Sequence, residues 1–309
     1  MKIQTTDLRV DYDGFTAVQD LSMEIPAGQV FGLIGPNGAG KTSTIRVMAT
    51  LLQPTYGEVT VGGFDVAEQP DQVHRILGYM PDLAPVHDDL KVWEMLDMFA
   101  SAHGVPRAER KRRVSECLDM VSMEKKRDVK GKALSRGMMQ RVVLAKTLLH
   151  EPKVLLLDEP ASGVDPVARI EFRRILRRLA DEGRSVLVSS HILTELADMC
   201  DAIGVMREGR MVVDGKIDDI VRKVQPKRIV EIDCPGSAAS AAAQLHGRPG
   251  VVATTHENNT VLVEFAGDAN ELSRLLAFLV AGGIGVTRFV EKRFGVEDIM
   301  LELDGMEMA

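Results

Sequence analysis

The chain has 309 residues, and 45% of them are hydrophobic, which suits about two globular domains with sizeable cores. Its net charge of −7 gives no general argument for nucleic-acid binding, because nucleic-acid-binding proteins usually have a basic domain or stripe. We therefore expect no nucleic-acid partner. The longest apolar run, residues 275–286, is well short of the roughly 20 residues that a membrane-spanning helix needs. The first residues lack the apolar core of a signal peptide, so we expect the chain to stay in the cytosol. Three scattered cysteines predict neither a disulfide nor a zinc site.

Residues 1–28 predict three short antiparallel strands, at 8–12, 15–18 and 21–25, separated by turns. Tyr12 lies just before the first turn. An aromatic ring there could stack on a purine, or it could pack on its own sheet, as a strand tyrosine usually does.

A glycine-rich loop follows an apolar strand at 30–34 and precedes a helix that we expect at 42–52. Its glycines let the backbone turn amide N–H groups inward, and the positive end of the helix dipole points to the same place. The pattern predicts a phosphate cradle in which Lys41 reaches the β- and γ-phosphates and the Thr42 hydroxyl binds Mg²⁺. The loop residues are Gly35, Pro36, Asn37, Gly38, Ala39, Gly40, Lys41 and Thr42.

Strand-and-turn segments follow at 57–63 and 76–82, and from residue 90 the pattern becomes helical. The span 104–132 holds ten Lys or Arg against five Asp or Glu. This basic patch is interpreted as a solvated helix face, with a contact to anionic lipid headgroups or to a partner as the alternative.

A second apolar run, 154–157, ends in two carboxylates, Asp158 and Glu159. In open α/β sheets the ligand lies at the carboxyl ends of the strands, so we expect both acids beside the phosphates. Asp158 would hold Mg²⁺, directly or through water, and Glu159 would act as general base on the attacking water. His191 follows a further apolar strand, 185–190, again at its carboxyl end.

Between these motifs, residues 134–142 read Leu-Ser-Arg-Gly-Met-Met-Gln-Arg-Val. Here the chain resembles the ATP-binding subunit of an ABC transporter, whose signature reads Leu-Ser-Gly-Gly-Gln. The family's elements occur in its order over roughly residues 1–220. They are Tyr12, the phosphate loop, 78–81 before the Q-loop, the signature, Asp158-Glu159, the D-loop 162–166 and His191.

The resemblance implies an α/β P-loop ATPase core with an antiparallel β subdomain and an inserted helical subdomain at about 90–150. It also implies roles: Tyr12 and Ser43 join the ATP-binding residues, and His191 contacts the γ-phosphate. Two subunits face head to tail, so that Ser135 and Gly137 of one complete the site formed by the other, with Asp165 in the D-loop. Ser135 also has the residue type of a helix N-cap.

Two positions depart from the family. Its Q-loop glutamine is Asp82, one methylene shorter and anionic, which leaves open whether this carboxylate meets the metal. Its first signature glycine is Arg136, which could point to solvent or add charge near the nucleotide, and its glutamine is Met138.

Past residue 225 the order strand-helix-strand-strand-helix-strand predicts a small ferredoxin-like α+β domain. We therefore expect an ATP-binding domain at 1–224 and an accessory domain at 225–309. The closing 295–303 resembles the end of the accessory domain of ABC-2-type exporters, and its role is interpreted as regulation or dimer contact, against a passive appendage.

The resulting hypothesis is a homodimeric Mg-ATP-hydrolysing subunit, peripheral on the cytoplasmic face of the membrane, that drives export by a separate integral-membrane permease. Two alternatives remain: a soluble ABC-type ATPase acting on ribosomes or nucleic acid, and a nucleotide-gated switch with little turnover.

Overall fold

The computed structural model describes residues 1–82, 86–192, 196, 199–217, 219–220 and 228–292. The chain divides into two units, Met1–Ile217 and Asp218–Ala309. The predicted domain boundary at 224/225 lies outside the described residues, as does the segment 295–303.

A six-stranded sheet forms the centre of the first unit, in the order β10-β9-β3-β8-β7-β6. The strands from β9 to β6 run parallel, and β10 pairs antiparallel with β9 at the edge. Every residue of β3, β7 and β8 is buried, as the continuous apolar runs predict. The carboxyl ends of these three neighbours therefore meet at one edge of the sheet. The strands are β3 Val30–Ile34, β6 Leu77–Met80, β7 Val154–Leu157, β8 Ser185–Ser190, β9 Ala202–Arg207 and β10 Arg210–Gly215.

An antiparallel sheet of four strands, in the order β2-β1-β4-β5, makes up the predicted β subdomain. The prediction of three short strands before residue 28 was wrong, because the segments 15–18 and 21–25 belong to one strand. Asp20, at φ 52°, and shifts in register between β1 and β2 accommodate an irregularity between these segments without ending the strand. The strands are β1 Ile3–Tyr12, β2 Phe15–Ile25, β4 Tyr56–Val61 and β5 Phe64–Asp65.

Six α-helices of the first unit lie wholly within the described residues. The first ends earlier than the predicted Leu52, because Thr50 turns to φ 61° and stops it. A short helix before β6 was not predicted, since its sequence is polar and begins at a proline. The helices are α1 Lys41–Met48, α2 Pro70–Ile76, α3 Val92–Ala102, α4 Arg107–Met120, α5 Arg136–Thr147 and α6 Pro166–Asp181.

Helices α3, α4 and α5 form the inserted helical region that was expected at about 90–150. One residue of the basic patch is internal rather than solvated. Arg113 is 6% exposed, and its guanidinium donates to the carbonyls of Leu148 and Leu149 at the end of α5. A cation there suits the negative end of the helix dipole, so Arg113 joins α4 to α5.

The second unit has the predicted order of strands and helices, and its antiparallel sheet runs β12-β13-β11-β14. Two helices pack their apolar faces on this sheet around Phe265 and Val263. Its assignment to the ferredoxin-like folds stays a prediction. The elements are β11 Arg228–Asp233, α7 Ala238–Leu245, β12 Val251–Glu257, β13 Thr260–Phe265, α8 Ala269–Ala281 and β14 Arg288–Lys292.

Of the helices within the described ranges, none combines the length and the apolar character that crossing a membrane requires.

A pair of stacked histidines joins the end of α3 to the core. The rings of His103 and His150 lie 4.3 Å apart at 13°, and His150 Nε2 donates to the Leu77 carbonyl 2.8 Å away. His150 Nδ1 is buried and has no hydrogen-bond partner among the residues that the structure describes. Burial lowers the pKa of both rings, and at His103 the neighbouring His150 and Lys146 lower it further. At His150 the hydrogen bond to Leu77 opposes the lowering of the pKa, while the charge of Arg113 adds to it.

We expect this pair to make the first unit less stable in acid. A lowered folded-state pKa means that the unfolded chain binds protons more readily, so the stabilisation is complete above the unfolded value of about 6.5 and declines as the pH falls through it. The melting temperature should fall as the pH is lowered from about 7.5 to about 5.5. It should fall less in His103→Phe, which keeps a stacking ring but removes one titrating group. Equal declines in the two proteins would contradict the assignment.

Candidate nucleotide-binding site

The loop between β3 and α1 has the conformation of a phosphate cradle. Gly38 and Gly40 adopt φ of 86° and 100°, in the left-handed region that favours glycine. The loop also passes close to other strands: a β-carbon on Gly35 would lie 2.2 Å from the Met206 carbonyl oxygen, and one on Gly40 would lie 2.4 Å from that of Ala17. The glycines are therefore required by conformation and by space, and the start of α1 faces the cradle.

Lys41 is folded back over this loop. Its ammonium donates to the carbonyls of Gly35 at 2.6 Å and Pro36 at 3.1 Å, and it lies 3.6 Å from Glu159 Oε1. The side chain is only 5% exposed, and burial lowers the pKa of the ammonium while Glu159 opposes that change. A cation is thus held at the centre of the cradle.

The two carboxylates lie at the carboxyl end of β7, beside the loop, as expected. Asp158 is 2% exposed, and its Oδ1 accepts from Thr42 Oγ1 at 3.3 Å. Glu159 adopts φ 49°, an uncommon backbone conformation for a residue other than glycine. This turn directs the Glu159 carboxylate toward Lys41 and His191.

His191, just beyond β8, lies with Nδ1 2.9 Å from Glu159 Oε2. A carboxylate only accepts, so Nδ1 carries the proton in this contact. Glu159 is therefore held between an ammonium on one oxygen and an imidazole on the other.

Sequence reasoning missed Ser189, which positions both acids. Its hydroxyl donates to Asp158 Oδ1 at 2.6 Å and accepts from the Glu159 amide at 2.9 Å. The available signal was a hydroxyl within a buried run at the carboxyl end of β8, next to the strand that carries the acids. A buried serine is common enough in sheets that the sequence alone does not single it out.

Tyr12 lies at the rim of a cavity of about 240 Å³ that the loop encloses. Its hydroxyl is 3.3 Å from Ser43 Oγ, and 43% of the side chain is exposed. The described residues around this cavity are Tyr12, Phe15, Ala17, Asn37, Gly38, Ala39, Gly40, Lys41, Thr42, Ser43, Asp82 and Glu159.

Asp82, which follows β6, also lines this cavity. Burial raises its pKa, and the neighbouring Asp158 and Glu159 raise it further, while Arg136 and His191 oppose the rise. In the described part of the chain, no three carboxylate, imidazole or thiol groups cluster closely enough to hold a metal ion. A metal here would need phosphate oxygens among its ligands.

The signature and the D-loop do not line this cavity in their own chain. Ser135 caps α5, as predicted, by accepting from the Met138 amide at 3.4 Å. Asp165 caps α6 by accepting from the amides of Val167 and Ala168. The start of α5 lies against the start of α6, since a β-carbon on Gly137 would be 2.8 Å from that of Ala168.

The donors gathered here fit a magnesium nucleotide. Backbone amides at a helix start and a buried ammonium suit the phosphates, and a threonine hydroxyl beside a buried aspartate suits the oxygen-seeking cation. A base candidate, Glu159, lies beside them. The class of protein that this fold and site define is a P-loop nucleotide-hydrolysing enzyme.

Comparison with known proteins specifies the family. A family model described as "ABC transporter" matches residues 18–162. The daunorubicin/doxorubicin resistance ATP-binding protein DrrA of Streptomyces peucetius is 33% identical, with 98% of this chain and 92% of that protein covered. The chain belongs to the ATP-binding proteins of ABC transporters, and it is an ATPase of that family.

Solved structures agree with this assignment. An ATP-binding subunit of an ABC transporter, 30% identical, matches with a TM-score of 0.64 over 72% of this chain and 93% of its own. A bacterial ABC transporter cassette solved as a dimer, 24% identical, shares the fold with a TM-score of 0.63 over 70% of this chain and 98% of its own. The P-loop ABC ATPase fold predicted from the sequence is confirmed.

Because Ser189 orients both acids, we expect Ser189→Ala to lower ATP hydrolysis by about 10- to 100-fold, the range seen when a supporting hydrogen bond to metal-site groups is lost. Steady-state phosphate release measures this. Ser185→Ala, at the far end of the same strand, is the matched control and should retain activity. Undiminished turnover in Ser189→Ala would show that the acids need no such support.

Proposed function

We propose that this protein binds and hydrolyses Mg-ATP in a head-to-tail homodimer and thereby drives export by a separate integral-membrane permease. The observation that carries the proposal is the convergence of Lys41, Thr42, Asp158, Glu159 and His191 at one edge of a buried parallel sheet. These residue types provide the phosphate, metal and base contacts that hydrolysis requires.

The phosphates would occupy the cradle at the start of α1. There the loop amides and Lys41 bind them, with Lys41 exchanging the Gly35 and Pro36 carbonyls for phosphate oxygens. Thr42 and Asp158 would hold Mg²⁺, which would neutralise the charge that develops on the phosphates. Tyr12, at the cavity rim, would stack on the adenine ring.

Glu159 would take the proton from the attacking water. Its carboxylate lies within 2.9 Å of His191 Nδ1, and the imidazole orients the carboxylate. With Nε2 also protonated, His191 would provide a donor toward the γ-phosphate. Asp82, at the cavity edge, would present a further carboxylate toward the metal.

The dimer completes the site. Ser135 and Gly137 lie at the start of α5, outside the cavity of their own chain, where free N–H groups and the positive dipole end can meet a nucleotide held by the other subunit. ATP would then hold the two chains together, with the D-loop residue Asp165 near the junction, and hydrolysis would release them. The dimeric cassette of the same fold supports this arrangement.

Attachment at the cytoplasmic face of the membrane would be peripheral, through the permease. The export direction is supported by the resistance function that the name of DrrA records. The role of the second unit would be regulation or dimer contact.

We expect the purified chain, supplied with its membrane partner, to release phosphate from Mg-ATP at a rate well above that of Glu159→Gln. The substitution keeps the size of the side chain but removes the base, so binding should persist while turnover falls by about 100-fold or more. Equal rates in the two proteins would overturn hydrolysis and favour a nucleotide-gated switch.

A tagged Glu159→Gln protein, which should retain ATP, provides the test of the partner. We expect a multi-span membrane protein to co-purify in stoichiometric amount from gently solubilised membranes with Mg-ATP, and less of it with Lys41→Ala, which should not hold the nucleotide. Ribosomal or DNA-bound material without such a protein would replace the transporter proposal with a soluble ATPase.

A further inference from the structure

The arginine that replaces the family's first signature glycine covers the D-loop of its own chain. A β-carbon on Gly163 would lie 2.6 Å from Nη1, 2.7 Å from Cζ and 3.1 Å from Nε of Arg136. Three atoms of the guanidinium thus occupy the space that a side chain at position 163 would need. Gly163 also adopts φ 65°, so its conformation and its contact both favour glycine.

This contact belongs to a longer seam between α5 and the segment that starts α6. Beside it, Gly137 packs so closely that its β-carbon would be 2.8 Å from that of Ala168 and 3.3 Å from Val164 Cγ1. One turn further along α5, Arg141 forms an ion pair with Glu171. The start of the signature helix and the D-loop of one chain are therefore packed together.

The covered segment is directly connected to the candidate base. The Ser162 amide donates to the Glu159 carbonyl at 3.1 Å, and the Val164 amide donates to the Ala161 carbonyl at 3.2 Å. These bonds form the turn that leaves Glu159 at φ 49°. A shift of Gly163 would therefore move this turn, because only a few residues of chain separate Gly163 from Glu159.

Helix stability does not account for an arginine at this position. Arg136 is the first residue of α5, where the positive end of the helix dipole disfavours a cation, and the first turn holds no acidic residue to offset it. The charge nevertheless reaches the cavity edge, because Arg136 opposes the raised pKa of Asp82. A residue that is unfavourable for its own helix and in contact with a neighbouring loop is better explained by that loop.

We propose that Arg136 is a positioning residue: its guanidinium fixes the D-loop at Gly163 and, through the Ser162 turn, holds Glu159 in place for ATP hydrolysis. The proposal rests on the proposed function, since its kinetic readout is ATP turnover. In the dimer, the same side chain would connect the element that meets the partner's nucleotide with the turn that carries this chain's own base.

Hydrogen exchange of the purified full-length chain tests the contact independently of activity. In Arg136→Ala, the amides of Ser162 and Val164 should exchange faster by on the order of tenfold, because the turn loses its cover. Arg107→Ala, an exposed arginine at the start of α4, is the matched control and should leave both amides unchanged. Unchanged exchange in Arg136→Ala would overturn the proposal whatever the turnover.

Kinetics then tests the positioning role. Arg136→Ala should lower kcat by about tenfold or more while KM for ATP and the melting temperature stay close to those of the wild type, since the cradle is untouched. Arg136→Lys keeps the charge but lacks the planar group, so it should not restore kcat. Full rescue by lysine, or unchanged kcat despite faster exchange, would overturn the role. If the wild type does not exceed Glu159→Gln, the proposed function fails, and the exchange result alone decides whether the contact holds the D-loop.

A double-mutant cycle separates the contact from backbone strain. Gly163→Ala displaces the guanidinium and adds left-handed strain, whereas the same change in Arg136→Ala adds strain alone. The exchange effect of Gly163→Ala should therefore be smaller in the Arg136→Ala background. Additive effects would show that the two residues do not act through one contact.

Discussion

The complete burial of three parallel strands is the constraint on which the site depends. β3, β7 and β8 admit no exposed side chain along their length, so charged groups can occur only beyond their last residues. The register brings these ends together, with Ile34 opposite Ser190 and Leu157 opposite Val188. The phosphate loop, the two acids and the histidine therefore converge at the one polar edge that these three strands share. Each strand contributes one part of the chemistry.

Local patterns were sufficient to predict this edge. The glycine spacing before Lys41, and the apolar runs that end at Asp158 and His191, each specify a strand followed by a functional group. Neighbouring strands were not specified in the same way. Ser189 acts only because β8 lies next to β7, and a sequence does not state which strands are adjacent. The long β2 was missed for a related reason: the segments 15–18 and 21–25 each have the pattern of a strand, and only pairing with β1 shows that they form one strand.

The packing of two arginines could not be predicted from the sequence either. Arg136 was left open between solvent and nucleotide, yet its guanidinium packs on a loop 27 residues later in the chain, whose glycine provides the space. Arg113 was grouped with a solvated basic patch, and it is instead buried against the end of α5. Arg113 replaces solvent with backbone, whereas Arg136 stays exposed while its guanidinium contacts Gly163, and only the packing of distant segments decides either outcome.

The folded-back conformation of Lys41 affects how the site meets its ligand. An ammonium that enters a site from water must lose its hydration before it can bind a phosphate, and that loss weakens binding. Here the ammonium is already dehydrated and surrounded by carbonyl oxygens of its own loop. An arriving phosphate would replace the partial charges of these carbonyls with its own full charge, and the ammonium would lose no further water. Folding has therefore already removed the water from Lys41, a step that would otherwise oppose nucleotide binding.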